Sequence, residues 1–279
     1  MRPTPKRYNK VTSAVKQDMD SPKILLTAVL IVACTSCSVR EDRSGCPCIL
    51  TLDVSDCPRF GADLSIKVWS DGEENFSGMI RSAEHPSGWS CRTGRNTAEY
   101  FACIPLGTMV SDRHSIKTAP GNQADSIFAY GKILSTRDET VLDKVFLHKH
   151  HMQLDVVFAK DGTGRSGVGQ VSVNADFNGL SLPSMEPLEG EYSFKTVPEE
   201  GRCRIRLPRQ GDGSITMDVT AEDGSSLATV DVGSLLDKAG YSWDSVDLAD
   251  VELDLSEIEV GIAVTVTGWE DGVSYSEFI

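Results

Sequence analysis

Apolar and polar residues alternate with a period of two through long stretches of this 279-residue chain. Leu50, Leu52 and Val54 alternate with Thr51 and Asp53, and Leu64, Ile66 and Val68 alternate with Ser65 and Lys67. Successive side chains of a strand point to opposite faces, so each run predicts a half-buried strand with one apolar face. Asp71-Gly72 supplies a turn. Tyr100-Phe101-Ala102-Cys103-Ile104, halted by Pro105, predicts a more buried strand, and Ile127-Phe128-Ala129-Tyr130 and then Val141, Val145 and Leu147 continue the series. The pattern restarts with Leu154, Val156 and Phe158, turns at Asp161-Gly162 and resumes at Val171 and Val173. Arg202, Arg204 and Arg206 alternate with Cys203, Ile205 and Leu207. Ile215, Met217 and Val219 follow, then a turn at Asp223-Gly224, and Val260, Ile262, Val264 and Val266 close the pattern before Trp269. Only residues 235–240 read as a short helical turn. Strands at near-regular spacing, punctuated by Gly, Asp and Pro, predict an all-β protein of two tandem β-sandwich domains, 50–149 and 150–279.

The N-terminal segment breaks this pattern. Residues 24–33 form an apolar run, broken only by Thr27, that ends at Cys34-Thr35-Ser36-Cys37. A secretory signal needs about 7–15 apolar residues and a small residue before its cleavage point, whereas a membrane-spanning helix needs about 20. The run therefore reads as a lipoprotein signal, in which the cysteine thiol takes a diacylglycerol, the chain is cut before it and the new N-terminus is acylated. Met19 gives a compact start to such a signal, which makes residues 1–18 an upstream extension. Residues 1–33 are thus extension plus signal peptide, and 34–49 a lipidated tether. Ile31-Val32-Ala33-Cys34 has the apolar, apolar, small, cysteine order that suits Cys34 as the acylated residue; Cys37 is the other candidate. No cofactor is expected beyond this covalent lipid.

Charge and cysteine content follow from that placement. The chain has 27 basic and 41 acidic residues, and residues 38–279 alone carry a net charge of −18. Such a surface repels phosphate, which excludes nucleic acid as a partner and leaves the lipid, not a basic patch, to hold the membrane. Export puts Cys46, Cys48, Cys57, Cys91, Cys103 and Cys203 where disulfides persist, with fifteen possible pairings. Cys46-Pro47-Cys48 is too tight for a mutual bridge, and Cys91 with Cys103 is a plausible pair. A metal site from Cys46, Cys48, His148, His150 and His151 lacks the repeated spacing such sites use. His148-Lys149-His150-His151 is expected to be a solvated strand or linker between the domains.

Catalytic signatures are absent from the sequence: no Gly-x-Ser-x-Gly elbow, phosphate-binding loop or His-Glu-x-x-His occurs. The Gly-rich segment 161–167 reads as a hairpin loop, and the arginine stripe of 202–206 as a solvated face with ion pairs. Trp69, Trp89, Trp243 and Trp269 are expected to pack in or around the cores. Two or three of them on one exposed face would instead make a sugar-stacking platform.

Residues 37–48, with a cysteine, the acidic pair Glu41-Asp42 and then Cys46-Pro47-Cys48 ahead of Leu50-Thr51-Leu52-Asp53, resemble the mature N-terminus of FimB-like fimbrial anchor lipoproteins. The likeness continues at Ile104-Pro105-Leu106-Gly107, at Val145-Phe146-Leu147-His148-Lys149 leading into 154–158, and at Val264-Thr265-Val266-Thr267-Gly268-Trp269. The resemblance implies two transthyretin-like β-sandwiches and Cys37 as the lipidated residue. It implies surface display and a role in holding a fimbrial polymer to the outer membrane. It also implies fimbrial shaft subunits as partners, joined by β-strand addition, in which backbone hydrogen bonds supply affinity and alternate side chains fill pockets. The expected function is therefore a non-enzymatic, surface-exposed outer-membrane lipoprotein that anchors or initiates a fimbria. The alternatives are a glycan-binding lipoprotein of a nutrient-uptake system and a tip adhesin.

Overall fold

The computed structural model of the protein describes residues 45–57, 63–159, 167–256, 263–269 and 274–278. The signal peptide, both candidate acylation sites Cys34 and Cys37, and the Gly-rich loop from Asp161 to Ser166 lie outside the described residues. Nineteen strands and one α-helix are present among those described.

The first half is built from two facing sheets. β1 (Cys48–Asp53) lies between β4 (Trp89–Thr93), antiparallel to it, and β9 (Thr140–Lys144), parallel to it; together they form sheet I. Sheet II contains β2 (Asp63–Ser70), β3 (Glu73–Arg81), β5 (Thr97–Cys103), β8 (Phe128–Ser135) and β10 (His148–Lys149), in the order β10-β8-β5-β2-β3. The alternation in the sequence explains the core: Leu50, Leu52 and Val54 from sheet I meet Leu64, Ile66, Val68, Tyr100 and Ala102 from sheet II, all buried. Asp71 and Gly72, with φ of 51° and 89°, form the tight turn from β2 to β3, the left-handed geometry that two-residue hairpin loops require.

The second half repeats the arrangement. Sheet III runs β14-β11-β17-β18-β19, from β11 (His151–Phe158), β14 (Arg202–Pro208), β17 (Asp250–Leu255), β18 (Ala263–Thr267) and β19 (Ser274–Phe278). Here too one strand pair, β11 with β17, is parallel. Sheet IV is built on β12 (Val168–Ser181), which pairs with β13 (Pro187–Thr196) and with β15 (Thr216–Ala221), and β16 (Ser226–Asp231) extends it. The expected helical turn is helix α1 (Val232–Lys238), starting three residues earlier than the pattern suggested. The Asp231 carboxylate caps it, accepting from the Ser234 backbone N–H at 2.9 Å, and Leu235 and Leu236 enter the core between sheets III and IV.

The halves are not joined by a linker alone. β6 (Val110–Ser111) and β7 (Ser115–Lys117) come from the first half of the chain but add to sheet IV, with Ile116 opposite Leu180 and Lys117 opposite Gly179. A third apolar cluster results, made of Trp69, Phe101, Cys103 and Ala129 from the outer face of sheet II together with Ile116, Leu180, Leu182 and Met185. This is why the β5 run is apolar on both sides: Tyr100 and Ala102 face the first core, Phe101 and Cys103 the junction.

The loop leading to β6 hangs on one carboxylate. Asp125 Oδ2 accepts from the backbone N–H groups of Gly107, Thr108 and Met109 at 2.9, 2.8 and 2.9 Å. Asp125→Ala is expected to lower the unfolding free energy by about 2 kcal/mol, since three donors lose a charged acceptor but remain partly solvated. Denaturant titration checks this, and a loss below about 0.5 kcal/mol would show that the loop does not depend on the carboxylate.

Candidate binding site at the junction of the sandwiches

The four-residue run His148-Lys149-His150-His151 sits at the junction, and it corrects the expectation of a solvated linker. Lys149 is 1% exposed, His151 5% and His150 7%. Burial is tolerated because most of the polar groups meet partners from elsewhere in the chain. The Lys149 ammonium donates to Asp250 Oδ1 at 2.5 Å and to the Leu248 carbonyl at 3.1 Å, and packs over the Trp269 ring at 5.1 Å from its centroid. The Lys149 backbone N–H donates to Asp247 Oδ1 at 2.7 Å, and the same carboxylate's other oxygen lies 3.3 Å from His148 Nδ1. Desolvation holds the Lys149 pKa below the ordinary lysine value, partly offset by Asp250.

The histidines are fixed as neutral acceptors. Arg209 Nε–H donates to His150 Nδ1 at 3.3 Å, and the Ile127 backbone N–H donates to His151 Nδ1 at 3.0 Å. With Nδ1 accepting from Arg209, the ring proton of His150 sits on Nε2; His151 Nδ1 also lies 3.3 Å from the Ile127 carbonyl oxygen. Burial, reinforced by Arg209 beside His150 and Lys149 beside His151, pushes the two pKa values down to about 3 and about 4. Arg209 is itself buried, and its Nη1 and Nη2 donate to the carbonyls of Trp243 and, at 3.0 Å, Val246. Gln210 follows it, 1% exposed, donating through Nε2 to the carbonyls of Phe177 and Pro208 at 3.0 and 2.7 Å.

Above these residues opens a groove of about 650 Å³, lined by His148, His150, Phe177, Met185, Arg209, Gln210 and Trp243 with the flanking Ser184, Glu186, Asp244, Ser245 and Val246. Sequence reasoning pointed to the histidines and Trp243 but missed Arg209, Gln210, Asp247 and Asp250. The only signal for them was a polar pair directly after an apolar strand, and two aspartates flanking Leu248-Ala249 before the next one. A smaller cavity of about 350 Å³ lies by Val197 and Glu199. Its charges are already engaged, Arg204 with Asp155 at 2.8 Å and Arg202 with Glu252 at 3.3 Å.

The other expected residues fall elsewhere. Arg202 and Arg204 form the exposed ion pairs anticipated for the stripe, whereas Arg206 turns to the first half and donates to the Ala124 carbonyl at 3.1 Å. Trp69 and Trp89 are buried, Trp243 lines the groove and Trp269 stands beside Phe128, so the tryptophans do not gather into a platform. Among the described residues Cys46, Cys48, Cys91, Cys103 and Cys203 are free thiols. Cys91 and Cys103, expected as partners, lie on opposite sides of sheet II: Cys91 packs on the first core and Cys103 on the junction cluster. Cys48 is buried on β1, Cys57 is buried just beyond it, Cys46 is exposed, and Cys203 lies in the second core. Burial raises the thiols of Cys91, Cys103 and Cys203 to about 11, 12 and 12, which keeps them protonated and poorly nucleophilic.

No protein-family model and no curated protein sequence matches the chain. Solved structures do. The fimbrial anchor protein Mfa2 from Porphyromonas gingivalis superposes with a TM-score of 0.51 at 12% identity, over 82% of this chain and 99% of that one. A proposed adhesin from Bacteroides thetaiotaomicron gives a TM-score of 0.53 at 13% identity, over 80% and 97% of the two chains. A protein from the same organism described as a proposed polysaccharide-binding protein gives 0.52 at 12%, over 84% and 98%. The order of sheets I to IV, with the β6–β7 hairpin crossing from one half to the other, is thus built on the fold of the Mfa2-like fimbrial anchor and adhesin proteins.

Proposed function

We propose that this chain is a non-enzymatic outer-membrane lipoprotein that anchors or initiates a fimbria, held in the membrane by lipid on Cys34 or Cys37 and joined to shaft subunits by β-strand addition. The observation that carries this reading is the likeness to Mfa2 over almost the whole length of that anchor protein. The lipoprotein signal in the sequence supplies the complementary half, a means of holding the membrane. The division into an N-terminal sandwich at 50–149 and a C-terminal one at 150–279 belongs to the same reading.

The placement of β1 suits a tether under load. It is the first strand after the acidic segment and the central strand of sheet I, hydrogen-bonded along both edges. A pull on its N-terminal end therefore has to shear two ladders together, and Leu50 and Leu52 would have to leave a closed core.

Deletion of the gene is expected to leave cells with few retained fimbriae and to release fimbriae into the medium, seen by electron microscopy. Fimbriae of unchanged number, length and retention would refute the anchor. In cells fed labelled palmitate, one of Cys34→Ala and Cys37→Ala is expected to abolish incorporation, and label that survives both changes would refute the lipid anchor.

A further inference from the structure

Among the buried side-chain atoms left without a hydrogen bond, two line the groove. Gln210 Oε1 and His150 Nε2 are buried and make no well-formed hydrogen bond, although the other polar atoms of both side chains are engaged and the Ala129 carbonyl acts on the His150 ring. A buried acceptor left unpaired costs about 1–3 kcal/mol, so its retention asks for a partner from outside the chain. Both residues line the groove, Gln210 as an acceptor and His150, by its tautomer, as a donor.

The walls narrow the chemistry. Phe177, from β12, and Trp243, from the loop before β17, give the groove two aromatic residues, and Met185 and Pro187 add apolar surface. Ser184, Ser245, Glu186 and Asp244 supply short polar groups around them. An anionic ligand is disfavoured: every donor direction of Arg209 used in the site goes to His150 or to backbone carbonyls, and Glu186 and Asp244 add negative charge. His148, Phe177 and Pro187 are single residues from strands β10, β12 and β13 and the other wall residues come from turns and loops, so no continuous run of strand edge lines the groove as a ladder for an extended peptide. Its volume lies within the range of about 300–1,000 Å³ usual for small-ligand sites.

We propose that this groove binds the end of an uncharged oligosaccharide, with sugar faces against Trp243 and Phe177 and hydroxyl groups donating to Gln210 Oε1 and accepting from His150 Nε2. Aromatic faces beside a fixed donor and acceptor suit a ring that has an apolar face and a hydroxyl-bearing edge. The proposal does not rest on the anchor reading, so its failure and the failure of that reading are distinguishable outcomes.

The test uses the full-length lipoprotein in detergent micelles, titrated with cellotetraose, maltotetraose, chitotetraose and mannotetraose, and with tetragalacturonate as an anionic counterpart. Tryptophan fluorescence and calorimetry report binding. At least one neutral tetrasaccharide is expected to bind with a Kd of about 1 mM or tighter, and Gln210→Leu to weaken it at least about tenfold. Ser184→Trp, an exposed substitution that fills the groove without touching either core, is expected to do the same even if the Gln210 variant folds poorly. The proposal is overturned if no neutral tetrasaccharide binds tighter than about 10 mM, if Ser184→Trp leaves binding unchanged, or if tetragalacturonate binds as well. Loss of fimbrial attachment in Ser184→Trp with no sugar bound would make the groove a seat for a protein segment and would overturn it as well.

Discussion

The free energy of unfolding is expected to fall by about 4 kcal/mol as the pH is lowered from about 7.5 to about 5, before most carboxylates begin to protonate. Two buried histidines carry this. His150 and His151 have pKa values near 3 and 4 in the folded protein, against about 6.5 in an unfolded chain. Between those limits the unfolded chain binds protons that the folded one refuses, so stability is lost as pH falls through 6.5 and the loss continues to about pH 4. The refusal is structural. A proton on Nδ1 of His150 would face the Arg209 Nε–H, and one on Nδ1 of His151 the Ile127 N–H. Arg209 and His148 beside His150, and Lys149 and Arg206 beside His151, oppose a second charge. The Ala129 and Ile127 carbonyls and Asp250 offset them in part.

Urea unfolding across that range measures the effect. Asn carries an acceptor close to the position of Nδ1 but does not titrate, so His150→Asn and His151→Asn should each remove about half of the pH dependence. A stability that stays flat down to about pH 5, or a slope unchanged in the double variant, would show that the rings are not held neutral. Carboxylates such as Asp112 and Asp231, whose pKa values backbone hydrogen bonds lower first of all, add their own loss only at more acid pH. The histidine window therefore stands apart from ordinary acid denaturation.

The same histidines mark the limit of what the sequence discloses. A polar run reads as solvated because local composition carries no word about partners 100 residues away. Lys149 is buried only because Asp250 and the Leu248 carbonyl reach it from the start of β17, the strand beside β11 in sheet III. Strands with one dry face were legible: β1, β2, β11, β14 and β15 bury alternate residues as their patterns require. Strand β13 was not, because it is paired along one edge only, with β12, and fully buries Tyr192 alone, leaving little period to read. β6 and β7 are too short to carry a period at all, yet they join the halves. The cysteines illustrate a different limit. A shared domain made Cys91 and Cys103 look like partners, but the bond depends on which face of a strand each occupies, and β5 is apolar on both. Of the candidate groove, the sequence offered the histidines and one tryptophan; Gln210 and Arg209 acquire meaning only from the loops folded over them.

Gly179→Ala is expected to cost roughly 3 kcal/mol or more and to separate the unfolding of the two halves. A Cβ on Gly179 would lie 1.9 Å from the Ile116 carbonyl oxygen and 2.9 Å from its carbon. Those atoms are backbone, so no rotamer change relieves the clash, and β7 would have to move off β12. Displacing β7 breaks the pairing of Gly179 with Lys117 and of Leu180 with Ile116, and pulls the fully buried Ile116 out of the junction cluster. That cluster is the apolar connection between the outer face of sheet II and sheet IV, so its loss strikes the coupling more than either core. Ile116→Ala attacks the same cluster without a clash, at an expected cost of about 2–4 kcal/mol. Calorimetry should show one cooperative transition in the parent protein and two in Gly179→Ala, the separation that loss of the two-state approximation predicts. A single transition displaced by less than about 1 kcal/mol would mean that strand β12 can yield at this point, and that the hairpin is an ornament on the second sandwich rather than the joint through which a load passes from one half to the other.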